Sequence, residues 1–480
     1  MATFHILNFG CRASQADGAA LKQQLLQAGL EEVASLEESQ VAILNTCTVT
    51  ATADAEVRQF VRRIHRRNPQ CRILVTGCYA QRAPEEIAPL EGVAWVVGNS
   101  HKHLVSTLLA ELPGPVANAV EPHADASSLV QIQISGNHDK RQMTSDEQAR
   151  ASVQSPHHPI TRSPDFPHSA QVLVGEITEE FHFAPVFPDD RTRPTLKIQD
   201  GCNARCSFCV IPSVRGRSRS LSPDQVLAEV RRLEQAGYQE VVLSGINLGS
   251  FGHDLEQRSG LPEILERLLG ETSIARIRIS SIELMDVSAA LIRLVAREPR
   301  LAQHFHIPLQ SGCDRILQLM NRRYWARHYA ERILAIHDEI PNCGIGADVM
   351  VGFPGETGPD HASSLRFIDS LPFTYLHVFP YSARPGTPAA NAPAQVNGRM
   401  ARERGQEIRA VIAAKRQAYL AAQVGRSIPA LTLGEVEDGA RVALTTNYLK
   451  ALLPGSELPA NRLVDVWVGR ASANQLFGCT

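Results

Sequence analysis

Three cysteines, Cys202, Cys206 and Cys209, stand at C-x3-C-x2-C spacing directly after Thr195–Gln199, a segment that reads as a strand. A loop this short can wrap its sulfurs around one small centre, and thiolates favour zinc or iron–sulfur clusters. Structural zinc takes four closed ligands. No histidine and no fourth cysteine lies between His182 and His253, so a local zinc site would be incomplete. A [4Fe–4S] cluster held through three irons leaves the fourth open, and an open iron is a place for chemistry.

Three further cysteines are isolated in sequence, but each follows an expected strand. Phe4–Phe9 precedes Cys11, Val41–Leu44 precedes Cys47, and Arg72–Val75 precedes Cys78. In a parallel sheet the carboxyl ends of the strands share one edge, where ligands bind. The three sulfurs are therefore expected to meet around a second open centre, with Gly10 and Gly77 allowing tight turns beside it. Cys71 precedes its strand and is excluded, being at the opposite edge. Cys313, Cys343 and Cys479 are read as structural.

The spacing of Cys202, Cys206 and Cys209, with Phe208 just before the last, resembles that of radical S-adenosylmethionine enzymes. GCRASQ (10–15), NTCTVT (45–50) and GCYAQ (77–81) resemble the three cysteine motifs of methylthiotransferases. RGRSRS (215–220), SSIE (280–283), LQSG (309–312), GADVMVGFPGET (346–357) and LHVFPYSARPGT (376–387) match as well. Within the family, the chain most resembles the tRNA N6-threonylcarbamoyladenosine methylthiotransferase branch. It has Arg12-Ala13-Ser14 where the family usually has a lysine and an asparagine or similar polar residues.

The resemblance implies a cluster on Cys202, Cys206 and Cys209 that cleaves S-adenosylmethionine to a 5′-deoxyadenosyl radical. It also implies a cluster on Cys11, Cys47 and Cys78 that carries or presents sulfur, with a second S-adenosylmethionine giving the methyl. The product would carry a methylthio group on carbon 2 of the modified adenosine beside the tRNA anticodon, position 37. Implied partners are the anticodon loop of tRNA, an electron donor and a sulfur source. Other readings are an isopentenyladenosine tRNA substrate, a ribosomal-protein substrate, or a non-catalytic iron–sulfur carrier.

S-adenosylmethionine is expected across the carboxyl edge of a central barrel, near Phe208, Ser244, Gly245, Ser281, Glu283 and Gln310. Basic residues gather at Arg58, Arg62, Arg63, Arg66 and Arg67, at Arg215, Arg217 and Arg219, and at Arg402, Arg404, Arg409, Lys415 and Arg416. These are candidate phosphate contacts, with the loop arginines foremost because they adjoin the chemistry.

The elements that must position these residues follow from hydrophobic patterning. Residues 1–112 alternate short apolar runs with helical stretches at Asp17–Ala28, Ala53–Arg67 and Pro84–Leu90, which predicts an α/β domain with a parallel sheet. Residues 113–168 lose the pattern and read as a disordered or low-complexity insertion. Its histidines (His123, His138, His157, His158 and His168) read as a solvated tail. Residues 169–396 alternate again, with strands at Thr195–Gln199, Glu240–Leu243, Arg276–Ser280, His304–Pro308, Gly344–Val351 and Tyr375–Pro380. This predicts a (β/α)6 partial barrel, which is also the fold the resemblance implies. Ser222, Pro223 and Gly237 mark the ends of one of its helices.

Residues 397–424 contain a long connecting helix. Residues 425–480 form a small all-β domain, with strands at Ala430–Leu433, Arg441–Thr445, Leu449–Leu452 and Leu463–Val468. That segment, with Thr446-Asn447-Tyr448, resembles the RNA-binding TRAM domain. The 480 residues are 44% hydrophobic and 20% charged with net charge -2, which excludes a disordered chain and a globally basic nucleic-acid coat. Apolar runs are strand-sized, far short of the ~20 residues of a membrane span. No secretory leader is read in the first residues, so a cytoplasmic enzyme with reduced thiols is expected.

Overall fold

A computed structural model describes residues 2–110, 170–177, 192–455 and 457–480. The expected insertion, 113–168, lies outside the described residues. The chain divides into two compact units.

The first unit comprises Met1–Phe9, Leu25–Cys47 and Asp54–Glu176. Its strands are β1 (Thr3–Asn8), β2 (Glu31–Glu32), β3 (Val41–Thr46), β4 (Arg72–Gly77), β5 (Val93–Gly98) and β6 (Gln171–Leu173). They form one sheet in the order β2-β1-β3-β4-β5-β6, with every pair parallel. Central β3 is buried at every residue, as a strand covered on both faces must be. Helix Ala51–Arg67 turns Val57, Val61 and Ile64 inward, the i, i+4, i+7 stripe of an amphipathic helix. The chain is still in this sheet beyond residue 169, where the central domain was expected to begin. Strand β6 is only three residues long, too short for a periodic signal.

The second unit comprises Gly10–Gln24, Thr48–Ala53 and Ile177–Thr480. The helix expected from Asp17 starts at Arg12 and ends at Gln27. Buried Ala13, Ala16, Ala20 and Leu21 extend its helical spacing upstream of the expected start. Next come β7 (Thr195–Lys197), β8 (Gln199–Asp200), β9 (Arg219–Ser220), β10 (Glu240–Ser244), β11 (Arg276–Ile279), β12 (His304–His306), β13 (Gly344–Val351) and β14 (Tyr375–Pro380).

Two parallel sheets, β11-β10-β7 and β12-β13-β14, are joined by parallel bridges Ile277–Leu301 and Ser281–His306. Six parallel strands thus follow one another in chain order as an open barrel. The expected strand Thr195–Gln199 splits in two: β7 pairs with β10, then β8 turns to an antiparallel pairing with β9. Helix Pro223–Gln235 opens with a capping box between Ser222 and Gln225 and buries Val226, Leu227, Val230 and Leu233.

Strand alternation sorts the two faces. Leu196, Val241, Leu243, Ile277, Ile279, Phe305, Ile345, Ala347 and Val349 share one apolar core with the flanking helices. Residues one position away (Lys197, Glu240, Arg276, Arg278, His304, His306, Asp348, Tyr375 and His377) therefore face the barrel interior, which is polar.

After helix Gly398–Ala421, β15 (Ser427–Glu437), β16 (Ala440–Thr445), β17 (Lys450–Pro454), β18 (Leu463–Ala471) and β19 (Leu476–Cys479) form a closed barrel. Only four of these strands were legible; β19 closes the barrel by pairing with both β17 and β18. The β16–β17 turn carries Tyr448 in the left-handed region, φ 66°. Its ring stacks on His304 with centroids 4.3 Å apart. Arg278 donates to the carbonyls of Thr445 (3.1 Å) and Thr446 (3.2 Å), tying this turn to the lumen wall. Among the described residues no helix is long and apolar enough to cross a membrane.

Candidate functional site

Cys202 lies two residues beyond the end of β8. Gly201 takes a φ of 72°, and a Cβ there would collide with the carbonyl oxygen of Arg217, so the turn into the loop needs glycine. The Cys202 amide donates to the Gly216 carbonyl (3.1 Å) and the Cys209 amide to the Cys206 carbonyl (3.2 Å). A distant segment braces the loop from outside. The Ser207 amide donates to the Met320 carbonyl (3.1 Å), and Asn321 Nδ2 donates to the Arg205 carbonyl (2.6 Å).

Arg322, next in that segment, is nearly buried; its Nη1 donates to Cys206 Sγ at 3.3 Å while Nη2 pairs with Glu283. The Ala204 amide lies 3.4 Å from Cys202 Sγ. Burial above all, with charge on Cys206 and Cys202 adding to it, pushes the Cys209 thiol up to about 12. Burial likewise raises Cys202. Three sulfurs in one another's field, where bare thiolates are disfavoured, suit a cationic iron centre that balances their charge. The residues present therefore fit a [4Fe–4S] cluster.

Beneath the loop lies a buried ion cluster. Asp200 accepts from Lys197 (2.7 Å) and Arg215 (3.1 Å), and both cations also pair with Asp17, Arg215 at 2.9 Å. Burial works against ionisation, yet Lys197 and Arg215 hold the Asp200 carboxyl down to about 2. This corrects the expectation for Arg215, whose side chain is 2% exposed and committed to two carboxylates rather than to phosphate. Arg404 is likewise buried, 2.6 Å from Glu356. Arg62, Arg63, Arg66, Arg217, Arg402 and Arg409 stay exposed.

The residues expected near S-adenosylmethionine all lie at or beyond the carboxyl ends of their strands. Ser244 ends β10 with its hydroxyl buried and, among the described residues, without a partner. Gly245 follows, and a Cβ there would come within 2.7 Å of Gln199 Oε1. Ser281 is hydrogen-bonded to His306 Nδ1, and Glu283 is held by Arg322. Gln310 sits at φ 64° with its Oε1 buried and unpartnered among the described residues. Phe208 packs edge-on against Phe353.

In the first unit, Cys47 and Cys78 directly follow Thr46 and Gly77, which are register partners on adjacent β3 and β4. Both are almost fully buried. Gly77 takes φ 102°, where a Cβ would strike the Thr46 backbone. Asn99 Nδ2 donates to Cys78 Sγ at 3.4 Å. Cys71 opens the other end of β4 and sits 3.5 Å from Ser39 Oγ. Cys11 belongs to the second unit; it is exposed, and its carbonyl accepts from the Gln15 amide (3.0 Å) as the helix from Arg12 begins. Cys313 donates to Asp360 at 3.2 Å, and Cys343 is buried.

Sequence reasoning missed Arg322 and His306, and it quoted Asp348, His377 and Tyr448 only within longer motifs, without reading that they meet His306 in the lumen. Arg322 is remote in sequence from the cysteine it touches. The lumen set does leave a signal: polar residues alternate with apolar ones in His304-Phe305-His306 and Tyr375-Leu376-His377.

Two family models match stretches of this chain. Residues 3–98 match "Uncharacterized protein family UPF0004", and residues 196–368 match the "Radical SAM superfamily". A relative from Aquifex aeolicus, "Threonylcarbamoyladenosine tRNA methylthiotransferase MtaB", is 34% identical over 443 residues, covering 92% of this chain and 94% of that one. One from Pelotomaculum thermopropionicum, "tRNA-2-methylthio-N(6)-dimethylallyladenosine synthase", is 32% identical over 445 residues, covering 92% and 88%. Among solved structures, the radical S-adenosylmethionine methyltransferase TsrM from Kitasatospora setae superposes with a TM-score of 0.53. It is 12% identical and covers 85% of this chain and 84% of that one, a likeness of fold.

Proposed function

The chain belongs to the radical S-adenosylmethionine methylthiotransferase family, and we propose that it adds a methylthio group to carbon 2 of N6-threonylcarbamoyladenosine at position 37 of tRNA. Members of this family use S-adenosylmethionine and two [4Fe–4S] clusters. When bound, these groups supply one-electron cleavage of S-adenosylmethionine and the sulfur that is transferred. Carbon 2 of adenine is an unactivated C–H, which accounts for recruiting such chemistry.

In this reading Cys202, Cys206 and Cys209 hold the cleaving cluster, and Cys11, Cys47 and Cys78, on the family's three amino-terminal cysteine motifs, hold the other. Arg322 donates to a cluster sulfur and keeps Glu283 facing the edge. Ser244, Gly245, Ser281 and Gln310, with Phe208 behind the loop, line the place for S-adenosylmethionine. The buried hydroxyl of Ser244 and buried carbonyl of Gln310 are polar atoms awaiting a partner, and a bound polar molecule would satisfy them. Exposed arginines, Arg217 foremost beside the loop, meet tRNA phosphates. An electron donor and a sulfur source complete the cycle, and the enzyme works in the cytoplasm, where tRNA is modified.

The observation that carries this reading is the three-cysteine loop at the carboxyl edge of a six-stranded parallel barrel, with Arg322 on one of its sulfurs. The test is mass spectrometry of anticodon-loop nucleosides from a deletion strain. Loss of 2-methylthio-N6-threonylcarbamoyladenosine, restored by the wild-type gene, is expected. Loss of the dimethylallyl counterpart instead would move the enzyme to the other branch of its relatives.

A further inference from the structure

The polar lumen holds a group of side chains that neither the cysteine loop nor the expected S-adenosylmethionine contacts explain. His306 Nε2 lies 3.4 Å from Asp348 Oδ1, and ligating atoms of His306, Asp348 and His377 all fall within 4.8 Å of one another. The His306 ring is buried, its Nδ1 is engaged by Ser281, and its Nε2 has no hydrogen-bond partner among the described residues. Register explains the convergence. Asp348 pairs with His377 across β13–β14, and His306 pairs with Gly346, whose missing side chain makes room for the Tyr375 ring that stacks on His306.

Two aromatic rings and a cation close the floor. Tyr375 stacks on His306 at 5.8 Å, Tyr448 covers His304, and Arg12 Nη2 donates to the Tyr448 hydroxyl at 2.8 Å. The group also connects to the cleaving loop: Ser281 on His306 is two residues from Glu283, which pairs with Arg322 on Cys206.

We infer that Arg12, His306, Asp348 and His377 form the subsite for the N6 substituent of the tRNA adenosine, and that the substituent it takes is anionic and rich in hydrogen-bonding groups. This rests on the tRNA reading above and sharpens it. A buried polar atom left without a partner costs about 1–3 kcal/mol, so a dimethylallyl group, which offers no donor or acceptor, would leave the buried His306 nitrogen unsatisfied and would take solvent from the part-exposed Asp348 and exposed His377 without replacing it. A threonylcarbamoyl group offers a carboxylate to Arg12 and the imidazoles, and a hydroxyl to Asp348. A site built to hydrogen-bond its substrate rejects analogues that lack those groups far more strongly than an apolar pocket rejects an extra polar one. The two kinds of relative differ in this substituent, so the lumen is where the chain tells the substrates apart.

The experiment uses the full chain with both clusters reconstituted, assayed on tRNA bearing either threonylcarbamoyl or dimethylallyl at the target adenosine. His377→Leu and Arg12→Gln should each raise KM for the threonylcarbamoyl tRNA by about tenfold or more, with a smaller change in kcat. Iron content and tRNA-independent cleavage of S-adenosylmethionine should not change in His377→Leu. Unchanged KM in both variants, while the wild type acts on the threonylcarbamoyl tRNA, would overturn the inference and leave the function standing. A wild type active only on the dimethylallyl tRNA would overturn both. The same residues form a two-histidine, one-carboxylate set of the kind that binds divalent metals. A stoichiometric zinc or iron beyond the clusters, lost in His306→Ala, would also overturn the inference.

Discussion

Arg322 sets a guanidinium nitrogen 3.3 Å from the sulfur of Cys206, a residue 116 positions earlier in the chain. Hydrogen bonds to cluster sulfurs stabilise the more negative, reduced state and so raise the potential. Arg322→Met should therefore lower the cluster's reduction potential and slow reductive cleavage of S-adenosylmethionine, with iron content close to wild type. An EPR-monitored redox titration reads the potential directly. A potential equal to the wild type's would show that the arginine only props Glu283.

The two cysteine sets should fail differently. Cys206→Ala should abolish formation of 5′-deoxyadenosine and lower bound iron by about half. Cys47→Ala should lower iron by a similar share, keep cleavage of S-adenosylmethionine, and stop methylthio transfer to tRNA. Chromatography of the nucleoside products alongside iron analysis separates the cases. If Cys47→Ala also lost 5′-deoxyadenosine formation, the division of labour between the sets would be wrong.

Much of this candidate site was visible in the sequence because its cysteines lie on short, regular units. Cys202, Cys206 and Cys209 share one loop. Cys47 and Cys78 each follow an apolar run whose length and flanking residues mark the carboxyl end of a strand. What escaped depends on contacts between distant segments. Arg215 read as a loop cation open to RNA; only the tertiary fold brings Asp17 and Asp200 to it and buries all three. Short elements escaped too, since β6 and β19 owe their existence to neighbouring strands rather than to their own periodicity. The helix from Arg12 was cut short because its buried alanines carry a weak hydrophobic signal.

The ion cluster under the loop yields a stability prediction. Asp200 bridges Lys197 and Arg215 in a nearly water-free setting, and removing one member of a buried ionic group leaves uncompensated charge. Asp200→Asn should destabilise the protein by about 3 kcal/mol at neutral pH, read as a lower urea midpoint. The group's folded pKa is depressed, so its contribution is full above the unfolded carboxyl value near ~4 and is lost as pH falls through about 2. The wild type should thus lose more stability than Asp200→Asn does across that acid window. Equal acid sensitivity in the two proteins would count against the cluster.

A second window lies nearer neutrality and comes from the lumen floor. His304 is fully enclosed between Tyr448 and Tyr375, with Nε2 2.8 Å from the Tyr375 hydroxyl. Burial first, then Arg278, His306, Arg12 and Arg193, holds it well below the usual imidazole range. His377 on the next-but-one strand, though its side chain is reached by solvent, is lowered by partial desolvation, Asp348 only partly offsetting this. The folded state therefore binds fewer protons than the unfolded one once pH falls below about 6.5, and stability must decline there. Urea midpoints measured from pH 8 to pH 5 should fall with acidification. His304→Phe, which keeps the stacking but cannot titrate, should flatten the decline even if it is less stable overall. If the variant and the wild type lost stability in parallel, His304 would have to be paired in its charged form, and the neutral stack on Tyr448 would be excluded.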